Sequence, residues 1–114
     1  MKSLGARGEE AVARFLEKEG FRIVDRDVDY GRWGHIDLVA CRDEILCFFE
    51  VKTRSHARAY GGAKHAVSAH QLMNLKRCMA LYCSRAKWVG ETRLLLATVV
   101  PEGDALNLEG IYHL

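Results

Sequence analysis

No aspartate or glutamate occurs between Val51 and Gly90, although those forty residues hold eight basic ones: Lys52, Arg54, Arg58, Lys64, Lys76, Arg77, Arg85 and Lys87. Residues 1–50 carry eight Lys and Arg against eleven Asp and Glu, and residues 91–114 carry one against four, so a net charge of only +2 conceals a concentrated cationic segment. Such a segment suits a polyanion, because each phosphate neutralised releases condensed counterions. A solvated basic face has the same composition, and charge alone does not separate the two. Also missing is any apolar run near the ~18 residues that a membrane span requires. The opening Met1-Lys2-Ser3-Leu4-Gly5 lacks the apolar core of a signal peptide. The expected location is the cytoplasm. Cys41, Cys47, Cys78 and Cys83 include no C-x-x-C pair, which favours buried thiols in a reducing compartment over a disulfide framework or zinc site. Repeats and low-complexity stretches are absent too, and the length suits one domain, 1–114, with a single core.

What is present is periodic. Leu4, Gly8, Val12, Phe15 and Leu16 recur at helical spacing and predict a helix over residues 4–19, capped by Ser3 and ended at Gly20. Gly8, without a side chain, lets that turn lie close against a sheet. Glu9 shares a register with Ala13 and Leu16 and borders the buried stripe, although the helix dipole alone also favours a glutamate in a first turn. Phe21 to about Val28 reads as a first strand, polar on one face, Ile36–Arg42 as a second and Ile45–Thr53 as a third. Their short connections make the three an antiparallel meander. The third strand is apolar on both faces, Ile45, Cys47, Phe49 and Val51 alternating with Leu46 and Phe48, as suits the middle of a sheet covered on both sides. Residues 54–65 lack periodicity and predict a mobile basic loop. A second helix runs from Ser68 to about Cys83, with Leu72, Leu75, Met79 and Tyr82 inward, Lys76 and Arg77 outward, and Ser68-x-x-Gln71 in capping-box spacing. Thr92–Val100, strongly apolar, and Leu106–Tyr112, an edge strand, complete an α/β (α+β) chain in the order α-β-β-β-α-β-β.

On the third strand a period of two places Glu50 and Lys52 on one face. Pairing across the Arg42-Asp43-Glu44 turn brings Asp37 opposite Phe49, to within about one residue, so Asp37 and Glu50 can share a cation. Charges set among strand-forming apolar residues cost several kcal/mol when unpartnered. An acid on one strand and Glu-x-Lys on the next supply what metal-assisted phosphodiester hydrolysis requires. Asp37, Glu50 and the backbone carbonyl of Val51 offer hard oxygen ligands for Mg²⁺ or Mn²⁺. Lys52 then either orients or deprotonates the attacking water, or stabilises the developing phosphorane charge. As a bare pattern this is weak, and a buried Glu50–Lys52 salt bridge is the plain structural alternative.

Gly5-x-x-Gly8-Glu9 opening a helix, Gly34-x-Ile36-Asp37-Leu38 and Glu50-Val51-Lys52-x-Arg54 occur in that order. Together they resemble the YraN-like family of small, largely uncharacterised bacterial proteins, which is similar in turn to archaeal Holliday-junction resolvases within the PD-(D/E)XK nuclease superfamily. The resemblance covers roughly residues 5–85 and implies a restriction-endonuclease-like fold, a mixed central sheet flanked by helices. It implies Asp37 and Glu50 as metal ligands, Lys52 as the catalytic lysine, Glu9 as an auxiliary ligand or water-holder, and Arg54 as a phosphate contact. Arg58, Lys64, Gln71 and Lys76 join Arg54 as the expected nucleic-acid-binding set. Two positions depart from the family pattern: His35 stands where G-E-I-D-L has glutamate, and Gln71 where a lysine follows four residues after a valine. The implied function is a divalent-metal-dependent nuclease acting on DNA, on branched or flapped structures, with a homodimer expected by analogy. The alternatives are a non-catalytic nucleic-acid-binding protein of nuclease fold, and a structural domain in which Glu50 and Lys52 neutralise one another.

Overall fold

A computed structural model describes residues 3–54 and 66–114. Arg58, Lys64 and all of the expected basic loop except Arg54 lie outside the described residues. Helix α1 (Leu4–Lys18) starts where the Ser3 hydroxyl accepts the Ala6 N–H. It stops because Gly20, at φ +88°, lets Phe21 N–H reach Leu16 O at 2.9 Å and Gly20 N–H reach Glu17 O at 3.1 Å. Its buried face is Gly8, Val12, Ala13 and Leu16. Leu4, expected in that stripe, is 47% exposed, one turn ahead of the point where the helix meets the sheet. That point is Gly8: a Cβ there would collide with Thr53 Oγ1.

The strands are β1 (Arg22–Asp29), β2 (His35–Arg42), β3 (Ile45–Thr53), β4 (Glu91–Glu102) and β5 (Ala105–His113), with a 3₁₀ turn (Gly31–Trp33) before β2 and helix α2 (Ala69–Ala86) before β4. They form one mixed sheet in the order β1-β2-β3-β4-β5. The first three make the expected antiparallel meander. Asp43 and Glu44 both take positive φ, as a two-residue turn matched to strand twist demands. β4 lies parallel to β3, because α2 carries the chain across one face, and β5 returns antiparallel.

Both faces of β3 are covered. Val12, Ala13 and Leu16 of α1 pack on Leu38, Ala40, Cys47, Phe49, Leu95, Ala97 and Val99. Leu75 and Cys78 of α2 pack on Ile36, Val39, Leu46, Phe48 and Leu94. α2 runs three residues beyond the predicted end at Cys83. Lys87 rather than a glycine takes the left-handed cap at φ +56°, with Trp88 N–H donating to Cys83 O at 2.9 Å, so nothing in the composition marks the stop. All four cysteines are free, Cys47 and Cys78 of them buried. Among the described residues no helix is long and apolar enough to cross a membrane.

Candidate metal centre

The sheet opens into a fork at Asp37. β2 and β3 pair from Arg42–Ile45 to Leu38–Phe49 and no further, whereas β3 stays paired with β4 as far as Thr53–Val99. Continued by one step, the register sets Asp37 against Glu50, one residue from the predicted Phe49. The side chain of Asp37, a residue only 3% exposed, takes the place of a neighbouring strand. Its Oδ2 accepts the Val51 N–H at 2.7 Å, and its Oδ1 lies 2.7 Å from His35 Nε2. Strand alternation breaks at the same place, since Ile36 packs on the α2 side and Leu38, two residues later, on the α1 side.

Across β2 the facing position of β1 is Asp27, between the pairs Arg26–Leu38 and Val28–Ile36. Asp27 has φ +48°, a left-handed conformation rarely met inside a strand and tolerated best by Gly, Asn and Asp. The carboxylates of Glu9 on α1, Asp27 on β1 and Asp37 on β2 come within 4.8 Å of one another. Glu50, 5% exposed, approaches Asp37 from β3. Lys52 Nζ lies 3.6 Å from Glu50 Oε1, with its side chain one-third exposed. A cleft of about 220 Å³ runs from Glu50 and His35 to Trp33, Gly34 and the α2 residues His70, Gln71, Asn74 and Leu75. Glu9 and Gln71 therefore flank the fork from opposite faces of the sheet. A larger cleft of about 340 Å³, lined by Phe15, Phe21, Ile45, Leu95 and Ile111 among others, includes none of these acids.

The remaining predicted site residues are dispersed. Arg54 is 5% exposed and its N–H donates to Val99 O at 3.0 Å, so it belongs to the interior at the end of β3. Lys76 is exposed on the outer side of α2. Asp27 and the His35–Asp37 contact were not foreseen. The alternation of Asp25, Asp27 and Asp29 was the available signal for the first, but no spacing rule marks the left-handed residue whose exposed carboxylate lies beside those of Glu9 and Asp37.

A family model for the uncharacterised protein family UPF0102 matches residues 8–99, a span holding Glu9, Asp27, Asp37, Glu50 and Lys52. The chain belongs to UPF0102. It is 32% identical to a UPF0102 protein of Cytophaga hutchinsonii over 91% of this chain and 90% of the relative. It is 43% identical to the UPF0102 protein STH1475 of Symbiobacterium thermophilum over 74% and 70%, respectively. Among solved structures it is similar to the SPO1766 protein of unknown function from Silicibacter pomeroyi, with a TM-score of 0.45 and 13% identity over 97% of this chain and 73% of that one. The likeness of its motifs to the YraN-like family is thus borne out at the level of the family.

In this UPF0102 protein burial and crowding both disfavour ionisation of the acids. Burial pushes the Glu9 carboxyl up to about 8, helped by its hydrogen bond to Asp27 and by the charges of Asp37, Asp27 and Glu50. Burial likewise pushes Glu50 up to about 7; the Asp37 charge adds to the rise, and Lys52 and His35 only partly oppose it. A crowded set of carboxylate oxygens, whose ionisation a bound cation would favour, fits a hard divalent ion such as Mg²⁺ or Mn²⁺. It also has a consequence for stability. The Glu50 carboxyl holds its proton more tightly in the folded chain than at its ordinary value of 4.5, so its contribution is fully present below about pH 4.5 and is lost as the pH rises through about 7. Without metal, stability should therefore fall by roughly 1–3 kcal/mol between about pH 5 and about pH 8, and Glu50→Gln should flatten that slope. Thermal melts in EDTA across this range measure it, and a wild-type melting temperature that stays level or rises would contradict the charge arrangement described.

Proposed function

We propose that this UPF0102 protein is a divalent-metal-dependent nuclease of restriction-endonuclease-like, PD-(D/E)XK type, hydrolysing DNA phosphodiester bonds on branched or flapped structures. The observation that carries this reading is the meeting of the Asp37 and Glu50 carboxylates at the β2–β3 fork, with the Lys52 ammonium beside them and a cleft leading in. Asp37 and Glu50 would hold Mg²⁺ or Mn²⁺, with the Val51 carbonyl, Glu9 and Asp27 as further oxygen donors. Bound there, the ion supplies Lewis acidity and neutralises charge on the phosphate.

The chain's own groups account for the rest. Val51 N–H and His35 hold the Asp37 carboxylate in one orientation, which is what supporting hydrogen bonds do for ligands. Lys52 offers three donors and a positive charge where water adds to phosphorus and the sugar oxygen leaves. Lys76 and Arg77, exposed on α2, extend the positive surface a polyanion would follow. Two observations favour the second reading, a non-catalytic nucleic-acid-binding protein of the same fold. His35 already engages Asp37 Oδ1, and Gln71, uncharged, lines the cleft.

Incubation of the purified protein with labelled linear, single-stranded, flapped and four-way DNA should give cleavage in Mg²⁺ or Mn²⁺. Cleavage should be lost in EDTA and reduced at least about hundredfold in Lys52→Met. Binding that weakens steeply with salt, without cleavage, would establish the binding module instead. Neither cleavage nor binding would defeat both readings.

A further inference from the structure

Among the described residues three arginines lie over aromatic rings, and they differ in what their N–H groups do. Arg42 Cζ is 4.3 Å from the Phe21 centroid, and its guanidinium is already engaged, donating to Glu19 O at 2.7 Å and lying 3.8 Å from Asp43 Oδ2. Arg32 and Arg77 instead share the Trp33 ring, with Cζ atoms 4.4 Å and 4.5 Å from its centroid. Among the described residues neither forms a hydrogen bond or an ion pair, whereas Arg7, Arg14 and Arg26 each donate to a protein acceptor. A cation–π contact uses the charge of a guanidinium and none of its five N–H donors, which stay available to an oxyanion.

The fold holds the pair in place. Cys78 Sγ on α2 donates to Trp33 O at 3.4 Å, and Tyr30 N–H donates to Gly34 O at 2.9 Å, so the turn is closed and fastened to the helix that carries Arg77. Two like charges thus share one ring, an arrangement that an anion beside them would relieve. Among the described residues no acid is paired with them. Asp29, the acid closest to Arg32 in sequence, has its Oδ1 on Gly31 N–H at 2.8 Å, and α2 contains no acid at all.

The position of the pair indicates which anion that is. Trp33 is a wall of the cleft that leads to Glu50 and His35, so the two guanidiniums lie beside the approach to the acidic centre. On the α1 side Glu9 and Asp27 would repel a polyanion, and Arg14 and Arg26 are both paired with Glu10. A strand with a phosphodiester at Lys52 is therefore drawn out over α2, and what it brings beside Trp33 is a neighbouring backbone phosphate.

We propose that Arg32 and Arg77, held side by side on Trp33, grip a backbone phosphate of the attacked strand adjoining the one at the metal centre, so that the strand leaves the fork over α2 and the Gly31–Trp33 turn. This deepens, and rests on, the nuclease reading. It makes the substrate a strand that continues past the cut on the α2 side and is held there by its backbone, irrespective of base sequence.

The test uses the full chain carrying Asp37→Asn, which prevents hydrolysis under the proposed mechanism, and a labelled single strand of roughly 12 nucleotides as the probe. Arg32→Ala with Arg77→Ala should lower the log–log salt slope of binding by about one to two and weaken binding at low salt at least about tenfold. Arg14→Ala with Arg26→Ala removes the same charge from the other side of the fork and should change the slope by less than about 0.5. Arg32→Lys with Arg77→Lys keeps the slope but should still cost about threefold or more in affinity, because an ammonium lacks the planar fork of donors. Equal losses from the two alanine pairs would overturn the proposal, and so would a lysine pair that binds as tightly as the parent. A further measurement leaves both arginines unaltered. The sequence has two tryptophans, so Trp88→Phe leaves Trp33 as the single indole, and its emission should change as the strand binds. Emission that stays constant at saturation, or a strand that does not bind, would also overturn the grip. Binding that depends on the Arg32–Arg77 pair, in a protein whose wild type cuts no substrate, would uphold this inference and sink the nuclease reading; cleavage with binding indifferent to the pair would do the reverse.

Discussion

Asp37→Asn is expected to abolish cleavage and, in the absence of metal, to raise the melting temperature. The substitution keeps the size of the side chain. An amide oxygen can still accept the Val51 N–H, now at 2.7 Å, and the amide nitrogen can face His35 Nε2. What disappears is the negative charge that the proposed ion would bind, and its loss should lower the rate by at least about a thousandfold, near 4 kcal/mol in activation free energy. The same charge opposes ionisation of both Glu9 and Glu50, so the folded chain is relieved when it goes. Neutralising one member of a crowded functional site commonly stabilises a fold by about 0.5–2 kcal/mol, a gain of several degrees in a domain of this size. Asp37→Leu should behave differently, because it leaves the Val51 N–H at the fork without an acceptor. Cleavage assays with melts of the same preparations measure both effects. Undiminished cleavage by Asp37→Asn would assign the activity to another site or to a contaminant.

Phe48→Ala is expected to remove most of the stability of the domain. Phe48 is fully buried at the centre of β3 and meets Tyr82 of α2 edge to face, with ring centroids 5.4 Å apart. Around it lie Ile36, Val39, Leu46, Leu75 and Cys78, so the truncated side chain would leave a cavity between two rigid layers. Such substitutions cost about 3–5 kcal/mol, against a total of roughly 5–15 kcal/mol for a domain. The melting temperature should fall by more than about 10 °C. Urea unfolding would report the loss directly, and a change below about 1 kcal/mol would show that α2 is held to the sheet by something else.

The two variants bear on different levels of organisation, and those levels were unequally legible beforehand. α1, the meander and the doubly covered β3 follow from patterns a few residues long. A helix stripe repeats every three or four positions, a strand alternates every two, and Ser3, Gly20 and the Asp43-Glu44 turn are local punctuation. Glu50 and Lys52 share a face for the same reason. Leu4 and the end of α2 departed from expectation where a local pattern met its limit. Whether an apolar first-turn residue is covered depends on where the sheet lies, and a lysine took the left-handed cap usually left to glycine.

The amino-acid order by itself determined the elements, their sequence along the chain, and the strands on which the acids sit, because each is set by side-chain periodicity and local backbone preference. The tertiary structure alone decided that β2 leaves β3 at Asp37, that alternation breaks between Ile36 and Leu38, and that Asp27 adopts φ +48°. Those irregularities bring four carboxylates from α1, β1, β2 and β3 to one fork. Each is unfavourable or neutral for its own strand and persists only because packing on both faces of the sheet holds it there.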